Sequence, residues 1–222
     1  DSRLSRGLGD VYKRQAKGSG GAIYALGTKV ILNDQTLCLN NRALEGGGGC
    51  MLWEPLAKSA ASEMWQTRAP VFDKANLSAN VASFGNEVAT LPVSIRSMVD
   101  ERTKTVGFSA EINGGMLKPV PRVEVLDLYG NVLSGSLARG LVVEAIQVES
   151  TDGILYGETL SYTNASDGIA EFDTLGLLGP PGSGPHHIAF AALINIRQDF
   201  SALRTINSCL LYTSPSPRDK RL

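Results

Sequence analysis

The sequence predicts a mostly β protein made of two different β units, and three observations support this. Glycine is abundant, with 24 of 222 residues, whereas aromatic residues make up only 6%. Apolar runs are short and end at turn residues, which is typical of strands. The hydrophobic rhythm changes near Val88, from short runs with repeated Asn, Ala and Gly to longer alternating runs. We therefore expect stacked short strands over residues 16–88 and an antiparallel sandwich over residues 89–207.

The two ends of the chain resemble translated sequencing-adapter DNA. Residues 1–15 end in Gly9-Asp-Val-Tyr-Lys-Arg-Gln15, and residues 208–222 contain Tyr212-Thr-Ser-Pro-Ser-Pro-Arg-Asp219. One DNA element and its reverse complement can encode both peptides, as expected for a tag ligated to both ends of a fragment. We expect both segments to be foreign to the native protein. The alternative is a pair of basic tails that bind an anionic partner.

The charge of the remaining residues argues against a nucleic-acid partner. The two ends hold 7 of the 21 Lys and Arg residues and 3 of the 22 Asp and Glu residues, which leaves 14 basic and 19 acidic groups and a net charge of −5. A nucleic-acid binder needs a basic face to neutralise phosphates. No apolar run approaches the ~20 residues of a membrane helix, so we expect membrane contact only through parts of the protein outside this chain.

A short motif, Asn-x-Ala-x-x-Gly, repeats within residues 16–88. The two copies consist of Asn41, Ala43 and Gly46 and of Asn80, Ala82 and Gly85. A third copy begins at Ala16 and lacks its Asn, where the expected adapter segment ends. The alanines are 27 and 39 residues apart, which fits one turn of a coil and one turn with an insertion. In such a coil, Asn side chains can hydrogen-bond along the stack, Ala fills the interior and Gly permits a tight corner.

The insertion is predicted to be a short helix near residues 55–69. Pro55 suits a first helical turn, good helix formers follow it, and the segment stops before Pro70. We expect Trp53 and Trp65 to anchor this helix on the coil, with stacking on sugars as the alternative.

A further repeat carries a family resemblance. Gly20-Gly-Ala-Ile-Tyr24 returns as Gly48-Gly-Cys-Met-Leu52, with the alternating strands Lys29–Leu32 and Thr36–Leu39 between the copies. With the Asn-x-Ala-x-x-Gly motif, this resembles the rungs of a right-handed parallel β-helix of the pectin-lyase-like and polymorphic outer-membrane-protein type. The resemblance implies that residues 16–88 are the end of such a β-helix. The edge of an ordinary Gly-rich sandwich is the alternative.

The rest of the chain shows longer alternating strands. These are predicted at Ala89–Ile95, Arg122–Leu128, Gly140–Val148, Ile154–Leu160, Gly168–Phe172 and His187–Leu193. The series Val123-x-Val125-x-Asp127-x-x-Gly130-Asn131, followed by Gly168-Ile-Ala170-x-Phe172, resembles bacterial Ig-like and filamin-like repeats. The resemblance implies an Ig-like antiparallel β-sandwich over residues 89–207, a module that usually serves as a spacer or adhesive stalk.

Two features bear on the compartment. Cys38 and Cys50 are compatible either with a disulfide or with two small buried apolar groups. Sequons at Asn76 and Asn164 permit N-glycosylation in a secretory context. We expect an extracellular or cell-surface protein.

Catalytic, cofactor and metal sites find little support in the sequence. The run Gly46–Gly49 lacks the following Lys and Ser or Thr of a phosphate loop, His186 and His187 are predicted to point to opposite faces of one strand, and Ser183 lacks a strand-to-helix context. A polysaccharide-cleaving site needs clustered carboxylates, but the candidates are scattered; they are Asp34, Glu45 and Glu54, beside Lys29 and Arg42. Ca²⁺ is the one ion that acidic loop residues suggest, and its candidate ligands are Asp127, Asp152, Asp167 and Asp173, although turn residues explain them as well.

The sequence therefore predicts a fragment of a large extracellular or cell-surface protein with a structural or adhesive role. Its expected partners are other modules of the same chain and cell-surface or matrix glycans or proteins. The alternative is the non-catalytic C-terminal part of a polysaccharide-active β-helix enzyme, a lyase or hydrolase.

Overall fold

The chain is mostly β, as predicted. The computed structural model describes residues 11–54, 69–98, 107–108, 115–148, 153–179, 186–195 and 203–213. Strands account for nearly all of the regular structure in these ranges, beside one 3-10 turn at Gly135–Leu137. Two compact units divide the chain: the first consists of Asp1–Pro92 and Asp127–Leu137, and the second of Val93–Leu126 and Ala138–Leu222.

The first unit contains ten short strands in the described residues. They are β1 (Val11–Tyr12), β2 (Gln15–Ala16), β3 (Ile23–Leu26), β4 (Ile31–Leu32), β5 (Leu37–Leu39), β6 (Arg42–Ala43), β7 (Met51–Glu54), β8 (Val71–Phe72), β9 (Asn76–Ser78) and β10 (Val88–Thr90). We call residues 11–32 rung 1, residues 37–54 and 69–72 rung 2 and residues 76–90 rung 3. Rungs 1 and 2 each pass through four equivalent strands, and rung 3 repeats two of them, β9 and β10.

Each strand of a rung pairs in parallel with its equivalent on the next rung. The strand orders are β1-β5-β9, β3-β7-β10, β2-β6 and β4-β8. The register places Ile23 and Val88 opposite Met51, and Ala16 opposite Ala43. Every second residue of such strands faces inward, and small or apolar side chains such as Ala25, Leu32 and Cys38 fill the interior.

Two corners of the rungs use left-handed backbone conformations at equivalent positions. Lys13, Asn40 and Ala79 have φ of 52°, 54° and 56° directly after β1, β5 and β9. Gly20, Gly48 and Gly85 have φ of 68°, 74° and 56° three residues before the next strand begins. A Cβ at Gly85 would lie 2.6 Å from the carbonyl oxygen of Val88, so this corner requires glycine.

The second unit is mainly antiparallel. Its strands are β11 (Ser94–Ser97), β12 (Gly107–Phe108), β13 (Arg122–Leu126), β14 (Val142–Val148), β15 (Ile154–Tyr156), β16 (Leu160–Tyr162), β17 (Ile169–Glu171), β18 (Gly176–Leu178), β19 (His186–Asn195) and β20 (Leu203–Thr213). They form the sheets β11-β13-β17, β12-β20-β19-β14-β16 and β15-β18. Only the short β12–β20 pair among these is parallel.

An apolar core fills the second unit. The rings of Phe172 and Phe190 lie with centroids 5.1 Å apart. Alternate residues of β14 face this core, because Val143 and Ala145 are buried whereas Ile146 is exposed. The other fully buried core side chains include Val123, Val125, Ala170, Leu175, Ile188 and Ala192.

Three predicted strands end or break more than one residue early. The predicted strand Ala89–Ile95 is divided between β10, which ends at Thr90, and β11, which begins at Ser94. The predicted strand Arg122–Leu128 stops at Leu126, because the backbone N–H of Asp127 bonds to the carbonyl of Asn131 and closes a turn. The predicted strand Ile154–Leu160 breaks after Tyr156, where Gly157 has a φ of 85°.

Several predictions fall wholly or partly outside the described residues. The predicted helix near residues 55–69 lies outside them except for Ala69. Three single residues also lie outside them: Trp65, Asp152 and Ser183. Among the described residues, no helix has the length and apolarity to cross a membrane.

Candidate functional site: a buried polar ladder

The interior of the first unit contains a ladder of two asparagines. Asn41 and Asn80 occupy equivalent positions, one residue beyond the left-handed corners at Asn40 and Ala79, and are 1% and 3% exposed. The Asn41 backbone N–H and side-chain Nδ2 both donate to Asn80 Oδ1, at 2.9 and 3.0 Å. Each rung is thus bonded to the next through a side chain as well as through the backbone.

The remaining polar atoms of the ladder are also hydrogen-bonded. Asn41 Oδ1 accepts the N–H of Arg14 at 2.9 Å, and Asn41 Nδ2 donates to the carbonyl of Val11 at 2.9 Å. Asn80 Nδ2 donates to the carbonyl of Cys38 at 2.8 Å and to the carboxylate of Glu87. Because unpaired polar groups are costly when buried, these partners make the ladder a stabilising element.

Glu87 was not singled out by the sequence. It precedes β10 on rung 3, and its carboxylate accepts a hydrogen bond from Asn80 Nδ2 at the end of the ladder. The only signal in the sequence is its position seven residues after Asn80. This spacing indicates a contact only once the parallel register of the rungs is known.

A disulfide joins Cys38 to Cys50 beside the ladder, with a Cα–Cα distance of 6.0 Å. Both residues are fully buried. The side chain of Asn41 lies against the bridge, with Nδ2 3.4 Å from Cys38 Sγ. Of the two alternatives that the sequence leaves open, the structure therefore has the bonded one.

The other residues of the repeated motif have distinct environments. Ala43 is buried, Ala82 is half-buried, and Ala82 donates its N–H to Asn86 Oδ1 at 3.1 Å. Gly46 is buried, but the residue that shares the left-handed corner of Gly85 is Gly48. Rung 2 has two more residues than rung 3 between its ladder Asn and its corner Gly. The third residue of the motif therefore lies at the corner in rung 3 but two residues before the corner in rung 2.

Both sequons lie on the surface. Asn76 and Ser78 are exposed on β9. Asn164 is exposed in the turn before β17, and its Oδ1 accepts the N–H of Ser166 at 3.0 Å. Their glycosylation stays a prediction.

The acidic residues proposed for Ca²⁺ do not converge in the described structure. Asp127 is 2% exposed, and its carboxylate accepts four N–H groups, from the backbones of Thr90, Tyr129 and Asn131 and from the Asn131 amide. Asp167 and Asp173 are exposed, and Asp167 Oδ1 accepts the N–H of Ile169 at 3.1 Å. The described residues contain no cluster of three or more metal-binding side chains.

The Asp127 turn also affects a neighbouring tyrosine. Burial first, and then the negative charge of Asp127, raise the pKa of the Tyr129 hydroxyl above its ordinary value. The shift moves this hydroxyl further from ionisation at neutral pH.

The residues weighed for polysaccharide cleavage lie at separate places on the rungs. Asp34 follows β4, Glu45 follows β6, and Glu54 ends β7. Asp34 and Glu45 are exposed, whereas Glu54 is buried and accepts a hydrogen bond from the Tyr24 hydroxyl. His186 and His187 begin β19, and their side chains lie outside the description of the structure.

Known proteins give no indication of a function for this chain, so a function is argued from the structure alone. No protein-family model matches the chain, and no curated protein matches it.

Proposed function

We propose that this chain is a fragment of a large extracellular or cell-surface protein with a structural or adhesive role. The first unit is the end of a right-handed parallel β-helix, and the second is an Ig-like antiparallel β-sandwich. The observation that carries the proposal is the parallel register of three successive rungs, bonded together by the Asn41–Asn80 ladder. A stack of this kind serves to extend and stiffen a chain.

The parallel register supports the β-helix because each rung is paired only with its neighbours. A single rung of two- to four-residue strands buries too little surface to be stable alone, so rungs occur in stacks. The interior of this stack is polar at the ladder and mostly apolar elsewhere. Such a stack provides a long, stiff outer surface and needs no catalytic residue to be useful.

The buried disulfide supports an oxidising compartment. Disulfides persist in secreted and cell-surface proteins and are rare in reducing cytosol. Cys38 and Cys50 are fully buried, so their bridge is a structural one and is shielded from exchange. The exposed sequons at Asn76 and Asn164 agree with the same compartment.

The antiparallel sheets of the second unit support a sandwich module. Strands of β11-β13-β17 and of β12-β20-β19-β14-β16 provide the inward-facing residues of one apolar core. Its surface carries ordinary ion pairs, Arg96–Glu124 at 2.6 Å and Arg122–Glu171 at 2.8 Å, of a kind that contributes little stability. The proposed partners are other modules of the same chain and glycans or proteins of a cell surface or matrix; no nucleic acid is proposed, and a membrane only through parts outside this chain.

The first test recovers the open reading frame from the source DNA with a library that uses different adapters. We expect residues 1–15 and 208–222 to be replaced by further rungs and further sandwich modules. A frame in which both terminal segments persist would contradict the proposal that they are foreign. A cluster of carboxylates on upstream rungs would instead support the polysaccharide-active enzyme.

A second test addresses the compartment. The chain with Cys209→Ser, which leaves only Cys38 and Cys50, is produced with and without an export signal and treated with a thiol-reactive reagent under denaturing conditions. We expect no free thiols in the exported protein. A folded exported protein with two reactive thiols would contradict the extracellular assignment.

A further inference from the structure

The first unit includes a segment from much later in the chain. Residues Asp127–Leu137 belong to it, although they follow Pro92 by more than thirty residues. We call this segment the cap segment. Its turn and its 3-10 turn, Gly135–Leu137, lie against rungs 2 and 3.

Strand β10 is the last strand of the order β3-β7-β10, so one of its edges, which we call the free edge, has no strand beside it among the described residues. The carbonyl of Glu87 accepts the N–H of Met51 at 3.0 Å and therefore points toward β7. Backbone groups alternate in direction along a strand, so those of Val88 and Thr90 point toward the free edge. Such an edge is a template for pairing with another chain.

The cap segment occupies this free edge. The N–H of Thr90 donates to Asp127 Oδ2 at 3.1 Å, and the N–H of Leu128 donates to Thr90 Oγ1 at 2.9 Å. Asn131 Nδ2 lies 3.5 Å from the carbonyl of Val88, at the limit of a hydrogen bond. Two of the backbone groups that point outward from β10, the Val88 carbonyl and the Thr90 N–H, thus face a side chain of the cap segment.

The same segment covers one carbonyl before β7 on rung 2 and one before β10 on rung 3. Ser136 donates its N–H and its hydroxyl to the carbonyl of Glu45, at 2.6 and 2.8 Å. Ser134 donates its hydroxyl to the carbonyl of Ser83 at 2.5 Å. A further rung would stack on rung 3 and would need the Ser83 carbonyl and the Thr90 N–H for its own pairing.

We propose that residues 127–137 are a cap that seals the end of the parallel stack and stops it from pairing with a second copy of this chain. A pairing strand would have to displace Asp127, whose buried carboxylate would lose the Thr90 N–H. The inference depends on the parallel pairing of β7 with β10 and goes beyond the proposed surface role, so it stands or falls separately.

The sharpest test is Asp127→Asn in the full chain, with Cys209→Ser to exclude intermolecular disulfides. Asp127 Oδ1 accepts the turn N–H groups of Tyr129 and Asn131 at 2.9 Å each, and an amide oxygen can keep both bonds. The amide nitrogen then faces the Thr90 N–H and the Asn131 amide, both of which donate to Oδ2 in the parent chain, so the edge loses its acceptor while the two backbone bonds of the turn stay formed. The matched control is Asp167→Asn, since Asp167 uses one oxygen only, for the N–H of Ile169.

Two measurements are made on both variants: hydrogen exchange of the Thr90 amide, and mass by light scattering over a concentration series. We expect Asp127→Asn to raise the Thr90 exchange rate about tenfold or more and to form concentration-dependent dimers. Asp167→Asn should resemble the parent chain in both measurements.

Two results would overturn the inference. Unchanged Thr90 exchange in Asp127→Asn would show that the carboxylate does not seal the edge. Faster exchange in a chain that stays monomeric would show that the seal does not prevent pairing. If Asp127→Asn does not fold, the double variant Ser134→Ala and Ser136→Ala removes two donors to rung carbonyls, and the same two measurements apply to it.

Discussion

The two units of this protein reach stability by different routes. Six of the eight buried polar or charged residues in the described structure belong to the first unit, and only Ser97 and Thr163 belong to the second. The first unit bonds its rungs through Asn41, Asn80 and Asp127, whereas the second packs rings such as Phe172 and Phe190. We infer that the first unit depends on the hydrogen-bonding chemistry of single residues and the second on the volume of its core.

This difference can be tested by comparing substitutions that preserve the shape of a side chain with substitutions that truncate the side chain. In the second unit, a change that keeps most of the apolar volume should be tolerated. In the first unit, an isosteric change that alters donors and acceptors should be as harmful as truncation. Both tryptophans, Trp53 and Trp65, lie within the chain range of the first unit, so fluorescence follows that unit.

The largest effect is expected for Phe172→Ala. Phe172 is 1% exposed and packs against Phe190, so truncation leaves a cavity and should lower the free energy of unfolding by about 4 kcal/mol. Phe172→Leu keeps most of the volume and should cost about 1.5 kcal/mol. Denaturant unfolding followed by circular dichroism measures both values. Equal losses for the two variants would contradict a volume-dominated core.

The next effect is expected at the ladder. Asn41→Ala leaves the Arg14 N–H and the Val11 carbonyl without their partner and removes one of the two donors to Asn80 Oδ1, so it should cost about 3 to 4 kcal/mol. Asn41→Asp preserves the shape but places an oxygen against these two acceptors, so we expect a loss at least as large at neutral pH.

Tryptophan fluorescence during denaturant unfolding measures both ladder variants. The control is Asn33→Ala, because Asn33 is exposed and accepts only local hydrogen bonds, from Gln35 and Thr36. It should cost less than about 1 kcal/mol. An Asn41→Asp variant as stable as the parent chain would contradict the inference that the first unit depends on the hydrogen-bonding chemistry of single residues.

Removing the disulfide should have a slightly smaller effect. Cys38→Ala with Cys50→Ala opens a loop with a sequence separation of 12 residues, for which the chain-entropy estimate is about 3 kcal/mol. Reduction of the parent chain under denaturing titration should reproduce this loss, whereas reductant should leave the double variant unchanged. If the double variant is as stable as the oxidised parent, the bridge does not stabilise the first unit.

The sequence predicted the residues that stack but not the contacts between distant segments. The mostly β class and the equivalence of Ala16 with Ala43 followed from spacing, because rungs 1 and 2 have nearly equal lengths before their corner. Gly46 was placed at the corner that Gly48 occupies, because two extra residues of rung 2 shift the register without changing the local motif.

The cap segment lay beyond sequence reasoning for a different reason. Asp127 reads as an ordinary turn residue, and it is one, since it accepts the N–H groups of Tyr129 and Asn131. Its second role depends on Thr90, 37 residues earlier in the chain. Local patterns determine turns, but only the tertiary structure shows which strand edge a turn covers.

The smallest expected effect is a gain in stability at the start of the ladder. Arg14 occupies the ladder position of rung 1: its N–H donates to Asn41 Oδ1 at 2.9 Å, and its carbonyl accepts the Arg42 N–H at 2.8 Å. Its side chain is exposed and cannot supply the side-chain bond that Asn41 gives to Asn80. Arg14→Asn should add that bond and stabilise the first unit by about 1 kcal/mol.

Arg14→Ala is the matched control for this gain, because it removes the same arginine without adding an amide. Thermal unfolding followed by tryptophan fluorescence compares the two variants. A gain confined to Arg14→Asn would show that the ladder extends to rung 1 and that asparagine suits this position better than the residue present. Equal stability of the two variants would show that the ladder ends at Asn41, and the contrast between the two units would then rest on the Asn41–Asn80 step and the cap segment alone.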